Sequence, residues 1–317
     1  MNFQPFAEFE DQLRGLLAAG RFNEIVEQIE AQGDRYPEQR LYLYYWQLTM
    51  AGRSEDLVAA LSLLDGLVEE GLWISNHLLT GSPSLVGFQG DLHYEARLAR
   101  MKFLEDQERS QLLPLLTLRQ GKTDGTNLPL LIGLHKDRGL ALSSIKFWQS
   151  MARQGWLVAV PQSTQAMWSG EYVWEDRSQA FREIQTHVQG LAGKYPLDPA
   201  RTLIAGHCGG ADLAAWLAVS GGLSSRGFLA ISPSGLPFED LEAWFPLLET
   251  VKARAIRGAF LVGQQEDAPI HESLERFVEL LNGFGVVCRL QIIPGVGREY
   301  DPIYDRPILD ALDYILS

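Results

Sequence analysis

Cysteine is nearly absent from this 317-residue chain, which has only Cys208 and Cys288. So sparse a supply excludes a disulfide-held scaffold and suits two reduced thiols in the cytosol. Histidine is also scarce, six in all, and none follows His271. No stretch approaches the roughly 18 uninterrupted apolar residues of a membrane span. The first residues, Met1-Asn2-Phe3-Gln4-Pro5-Phe6-Ala7-Glu8, lack the basic and apolar segments of a signal peptide. Together these absences read as a cytoplasmic protein. Positive charge is short too: 27 basic side chains against 40 acidic ones leave a net charge of −13. Such a surface repels phosphate backbones and anionic lipid headgroups, so neither nucleic acid nor membrane is an expected partner. There is no HExxH, no paired cysteine and no Walker or Rossmann glycine pattern, so neither a metal nor a nucleotide cofactor is expected.

What the chain does have is 46% apolar and 21% charged residues, enough for a sizeable core, and two distinct patterns. Residues 1–110 show apolar side chains at helical spacing. Within them Leu16, Ala19, Gly20, Arg21, Glu24, Ile25 and Val26 recur 32 residues later as Leu48, Ala51, Gly52, Arg53, Asp56, Leu57 and Val58. A small-Gly-basic turn between two helices at this period is similar to a tetratricopeptide-type repeat. An ordinary helical bundle with a coincidental echo is the alternative. Gly71–Leu92 reads as a loop-rich connector and Glu95–Ser110 as a charged helix.

From residue 111 to 317 short apolar runs alternate with helical stretches. Leu128–His135, Trp156–Pro161, Thr202–Gly206, Gly227–Ile231, Ala259–Gly263 and Val286–Ile293 read as buried strands, and Leu112–Leu118 as an edge strand. Helices are expected at Ser143–Gln154, Arg177–Lys194, Ala211–Ser220, Asp240–Lys252, His271–Phe284 and Arg306–Leu316. This alternation demands a mostly parallel sheet with helices on both faces, its site beyond the carboxyl ends of the strands.

The most informative segment is Arg201-Thr202-Leu203-Ile204-Ala205-Gly206-His207-Cys208-Gly209-Gly210-Ala211-Asp212-Leu213-Ala214. A strand enters a turn with glycine at both ends and leaves directly into an Ala/Leu-rich helix. This is the nucleophile elbow G-x-S-x-G with cysteine for serine. A helix N-terminus favours thiolate, and the Gly209 N–H is an oxyanion donor. Cys208 reads either as a working nucleophile or as a small apolar residue left where a serine once acted. On these residues the stretch from Leu112 onward resembles the α/β-hydrolase superfamily, within it the carboxylesterases and dienelactone-hydrolase-like enzymes. Pro129-Leu130-Leu131-Ile132-Gly133-Leu134-His135 looks like the family's strand entering the oxyanion loop. Val158-Ala159-Val160-Pro161-Gln162-Ser163 and Tyr172-Val173-Trp174-Glu175-Asp176 look like the region that walls the substrate pocket.

The resemblance implies Lys136 as second oxyanion donor, with Asp137 and Arg138 in a solvated loop, and His135, Trp168 and Tyr172 as substrate-binding residues. It implies an acid after the strand Ala259–Gly263, Asp267 or its neighbour Glu266, with Asp267 preferred. It also implies a histidine in the turn Pro294-Gly295-Val296-Gly297-Arg298-Glu299-Tyr300, where Arg298 stands instead. Arginine stays protonated and accepts no proton from a nucleophile. Of the other histidines, His207, His271 and His135 read as structural or solvent-facing. Two functions remain in view. One is an acyl hydrolase acting on a small-molecule ester or thioester. The other is an inactive pseudo-hydrolase that binds a ligand or, through its N-terminal helices, a protein partner.

Overall fold

The structure is a computed structural model and describes residues 5–119, 127–234, 238, 240–251, 254–299 and 302–317. Met1–Gln4, Lys252 at the expected end of one helix, and Tyr300 at the end of the expected histidine turn lie outside them. The chain divides into two compact units. One is Met1–Leu112 with Ala166–Ser169, the other Leu113–Gln165 with Gly170–Ser317.

The first unit contains helices α1 (Phe6–Ala18), α2 (Phe22–Gln32), α3 (Arg40–Arg53), α4 (Leu57–Glu69), α5 (Asn76–Gly81) and α6 (Leu92–Gln111). The expected connector therefore holds a short helix, whose N-cap Ser75 accepts the Leu78 N–H, and Asp91 caps α6 in the same way. The structural repeat is 35 residues, not 32. Helix α2 opens at Phe22 and α4 at Leu57, and the left-handed turn residues are Gly20 (φ 72°) and Glu55 (φ 57°). The Ala-Gly echo in the sequence is thus out of step with the backbone. Gly52 lies inside α3, where an added Cβ would stand 2.1 Å from the Ser84 carbonyl oxygen. Glycine there admits a neighbouring backbone; Gly20 supplies a turn. Leu48, Leu64, Leu67, Trp73, Tyr94 and Trp168 share one core of this unit. Two cavities, of about 370 and 460 Å³, open on it, the second lined by Asn23, Gln47 and Asp56 among others.

In the second unit the strands are β1 (Leu115–Leu118), β2 (Leu128–Leu134), β3 (Leu157–Pro161), β4 (Gln165–Trp168), β5 (Glu171–Val173), β6 (Leu197–His207), β7 (Gly227–Ile231), β8 (Arg257–Gly263) and β9 (Val287–Ile293), although Ala166–Ser169 belongs to the first unit. Seven of them form one sheet in the order β1-β3-β2-β6-β7-β8-β9. Only its edge strand β1 is antiparallel, Leu115 facing Pro161 and Leu118 facing Val158. β2, β3 and β7 are buried along their whole length, as a sheet covered on both faces requires. One face packs Ile184, Leu213, Leu217, Leu274 and Phe277 from the helices Arg177–Ala192, Gly209–Ser220 and Ala268–Gly283. The other packs Phe147, Trp148, Met151, Ile308 and Leu312. Central β6 ends at His207, and its next residue is the elbow cysteine.

Substituting Gly52→Ala should lower the stability of the helical unit by about 1–3 kcal/mol, the usual range for overpacking. A urea midpoint equal to that of the wild type would show that the Ser84 backbone is not pressed against α3.

Candidate functional site

The elbow follows from a strand running into a helix with one residue between them. Cys208 takes that place at φ 50°, ψ −125°, a strained backbone that the flanking glycines permit. A Cβ on Gly206 would stand 2.0 Å from the Gly210 carbonyl oxygen, and one on Gly210 would stand 2.3 Å from that of His135. Strand, turn and helix can close this tightly only without side chains there. The Cys208 N–H donates to the Ile231 carbonyl, and its own carbonyl accepts from Ala211 and Asp212, which pins the turn.

The surroundings of the thiol disfavour its ionisation. Cys208 is only 9% exposed, and burial pushes its pKa up to about 12. The positive charges of Arg298 and Lys136 pull the other way but do not prevail, while Glu299 and Asp137 add to the rise. Burial thus works against the thiolate that a helix N-terminus favours.

Position 298 brings no base. The Arg298 Nε donates to Glu266 Oε2 at 3.3 Å, and Glu266 Oε1 accepts the Gly263 N–H at 2.8 Å. The Glu266 side chain is 2% exposed and that of Arg298 40%. Asp267, preferred from sequence, is exposed and stands at the N-cap of the helix Ala268–Gly283 without a capping bond. Glu266 is therefore the acid that meets Arg298. The loop bearing Arg298 is seated by Tyr304, whose hydroxyl donates to the Gly297 carbonyl at 2.9 Å.

One imidazole does touch the thiol: His207 Nε2 lies 3.5 Å from Cys208 Sγ. The same nitrogen lies 2.8 Å from the backbone oxygen of Arg298. A carbonyl oxygen only accepts, so Nε2 carries the proton and donates it there. It offers no lone pair to the thiol. Burial also lowers the His207 pKa to about 4, and the ring packs on Phe147 at 4.4 Å between centroids. His207 is a neutral strut.

The remaining expected site residues scatter. His135 is fully buried, with Nδ1–H donating to the Lys136 carbonyl, Nε2 accepting the Ser163 N–H, and the Trp174 ring tilted against it at 4.6 Å between centroids. Burial takes its pKa down to about 4. Tyr172 is fully buried, its carbonyl accepting the Gly139 N–H. Trp168 is 1% exposed in the core of the first unit, 6.2 Å from Tyr42 and 6.4 Å from Tyr45 between ring centroids. All three residues expected to bind substrate are buried among other side chains. His271 donates from Nε2 to the Gly263 carbonyl at 3.0 Å and is structural. Lys136 is close enough for its charge to act on the thiol, and its ammonium binds Glu299 Oε1 at 2.7 Å.

Two acids that sequence reading passed over sit beside the elbow. Asp137 is half-buried rather than solvated, and its carboxylate lies 1.7 Å from where a Gly209 Cβ would be. Burial raises its pKa, and the Trp174 N–H hydrogen bond offsets part of that rise. Asp212, in the first turn of the elbow helix, is buried and accepts from the Ser234 N–H at 3.1 Å and from the Ser234 hydroxyl. Burial pushes its pKa up to about 7, against the Ser234 hydrogen bonds, with the Asp137 charge adding to the rise.

The alkylation rate of Cys208 by iodoacetamide should rise about tenfold per pH unit from pH 7 to pH 10, following a thiolate fraction far below its midpoint. A plateau near neutrality would mean the thiol is not held high. Asp212 should impose a pH dependence on folding. Its folded pKa is raised, so its contribution is complete below about pH 4 and is lost as pH rises through about 7. Asp212→Asn should abolish that loss, and urea midpoints at pH 5 and 8 falling equally in variant and wild type would contradict it.

No family model matches the chain, and no curated protein matches it. Solved structures do. An uncharacterized protein from Bacillus cereus ATCC 10987 superposes with TM-score 0.55 at 19% identity, over 98% of this chain and 99% of that one. FphF, a fluorophosphonate-binding serine hydrolase of Staphylococcus aureus, superposes with TM-score 0.50 at 15% identity, over 64% of this chain and 92% of that one. The parallel sheet, its strand order and the elbow after its central strand agree with that likeness, and the second unit has the α/β-hydrolase fold.

Proposed function

We propose that this chain is a pseudo-hydrolase: a protein that keeps the elbow of an acyl hydrolase and binds a small acyl compound there without turning it over. The observation that carries this reading is the pairing at position 298. Its guanidinium is held by Glu266 and its carbonyl takes the only proton that the neighbouring imidazole offers toward the thiol. Attack by Cys208 needs a group to accept the thiol proton, and clearing an acyl-enzyme needs one to activate water. Among the described residues no imidazole turns a lone pair to the thiol. Loss of a triad member leaves about 10³–10⁴-fold acceleration over water, from oxyanion donors and binding alone.

The second reading, an ester or thioester hydrolase with Cys208 as nucleophile, is favoured by the elbow itself. Its backbone remains in the strained geometry that aims a side chain out of the turn, and Gly209 opens the helix as the fold's oxyanion donor. Strain of this kind persists only where the surroundings impose it, which supports a retained binding role. The helical unit, with cavities lined by α2 and α3, is the part we assign to a protein partner. Among the described residues no helix is long and apolar enough to cross a membrane. The charge of −13 and the two free thiols support a cytoplasmic setting.

Hydrolysis of p-nitrophenyl butyrate separates the readings. Wild type and Cys208→Ala should hydrolyse it at rates within about twofold of each other, and Arg298→His should gain a Cys208-dependent rate, since it restores a titratable base at physiological pH. Turnover by wild type in the ordinary enzyme range of about 1–10³ s⁻¹, abolished by Cys208→Ala, would establish the hydrolase instead.

A further inference from the structure

In the α/β-hydrolase fold the N–H of the residue after the nucleophile receives the developing oxyanion. Here that residue is Gly209, and a carboxylate stands against it. The three nearest atoms to a Cβ on Gly209 are all from Asp137: Oδ2 at 1.7 Å, Cγ at 2.1 Å and Oδ1 at 2.3 Å. A side chain at 209 would have to displace this carboxylate. The charge of Asp137 reaches both Cys208 and Asp212.

No cation is among the groups acting on Asp137; they are its buried setting, the Trp174 N–H and the like charge of Glu175. The two cations that act on the thiol are engaged elsewhere, Lys136 with Glu299 and Arg298 with Glu266. Arg177, half-buried over the Trp216 ring, acts on Asp212. Among the described residues, then, no cation is seen to act on the carboxylate beside Gly209. A tetrahedral oxyanion formed on Cys208 would be brought up against it.

We propose that Asp137 sets the charge of what the elbow admits: its carboxylate fills the oxyanion side of the turn, so the site rejects anionic groups there and takes a neutral or cationic group that donates a hydrogen bond, such as a primary amide, a hydroxyl or an ammonium. This rests on the reading of the elbow as a binding site and names the chemical class it binds.

The test compares two alkylating agents of nearly equal size on the intact protein. Iodoacetamide presents an amide N–H, and iodoacetate a carboxylate. In each case Cys208 Sγ displaces iodide from the α-carbon, a thioether forms, and the thiol proton goes to the buffer. The Cys208 peptide is quantified by mass spectrometry, with glutathione in the same reaction as reference. The iodoacetate to iodoacetamide rate ratio of wild type should lie at least about fivefold below that of glutathione, as a like charge within a few ångströms requires. In Asp137→Asn the ratio should rise at least about fivefold above that of wild type. Asp137→Ser serves as a second variant should the first fold poorly. A wild-type ratio at or above that of glutathione overturns the proposal without any variant, and so does a ratio that neither substitution moves. The outcome is independent of the base: Cys208-dependent turnover of an ester would overturn the pseudo-hydrolase reading and leave these ratios as they are.

Discussion

The hydrogen bond from His207 Nε2–H to the Arg298 carbonyl organises this site. It joins the end of central strand β6 to the loop after the last strand, and it fixes which ring nitrogen holds the proton. Because the acceptor is a backbone oxygen, no change of side chain at 298 removes it. The imidazole is thereby spent on architecture, 3.5 Å from a thiol that it cannot deprotonate through that nitrogen. The same loop carries the guanidinium to Glu266, whose other oxygen is tied to the Gly263 N–H. Glu266, Arg298 and the end of β6 thus form one hydrogen-bonded assembly.

That assembly depends on glycine at the points of closest approach. Gly206 and Gly210 let strand and helix fold back on one another around Cys208, and a Cβ on Gly263 would stand 2.5 Å from the Val296 carbonyl oxygen. The turn after β8 and the turn after β9 therefore pack backbone to backbone, which is what sets Arg298 over Glu266 rather than over Asp267. The price of so dense a setting is desolvation. It holds the thiol protonated, keeps His135 and His207 neutral, and raises Asp212.

Much of the fold was legible because buried parallel strands announce themselves as short apolar runs. Gly227–Ile231 is matched residue for residue, and Leu128–His135 differs from β2 only at its last position. The elbow was legible for the same reason: the glycine spacing is a steric demand that leaves few other solutions. What the residues did not disclose is which neighbours meet. Glu266 and Asp267 are adjacent acids in one turn, and only the way Glu266 reaches back to the Gly263 N–H separates them. Helix polarity favours a thiolate at 208, whereas the opposing burial comes from the folded surroundings, which the linear sequence does not display. Asp212 did leave a trace, a lone acid in the Ala/Leu-rich start of a helix. In the helical unit the eye was drawn to Ala-Gly-Arg, while the backbone repeats through Gly20 and Glu55, and no compositional likeness links those two.

The first unit is not a continuous piece of chain. Trp168 and its neighbours Ala166–Ser169 complete it from a point more than fifty residues beyond Leu112. The Ser169 hydroxyl accepts the Trp73 N–H at 2.8 Å, and the indole of Trp168 fills space beside Tyr42 and Tyr45. During synthesis from the ribosome, where domains usually fold in order of emergence, the helices must wait for that tryptophan before their core can close. By then β2 and β3 have been made as well. The two units are separate in architecture, but their maturation is interleaved.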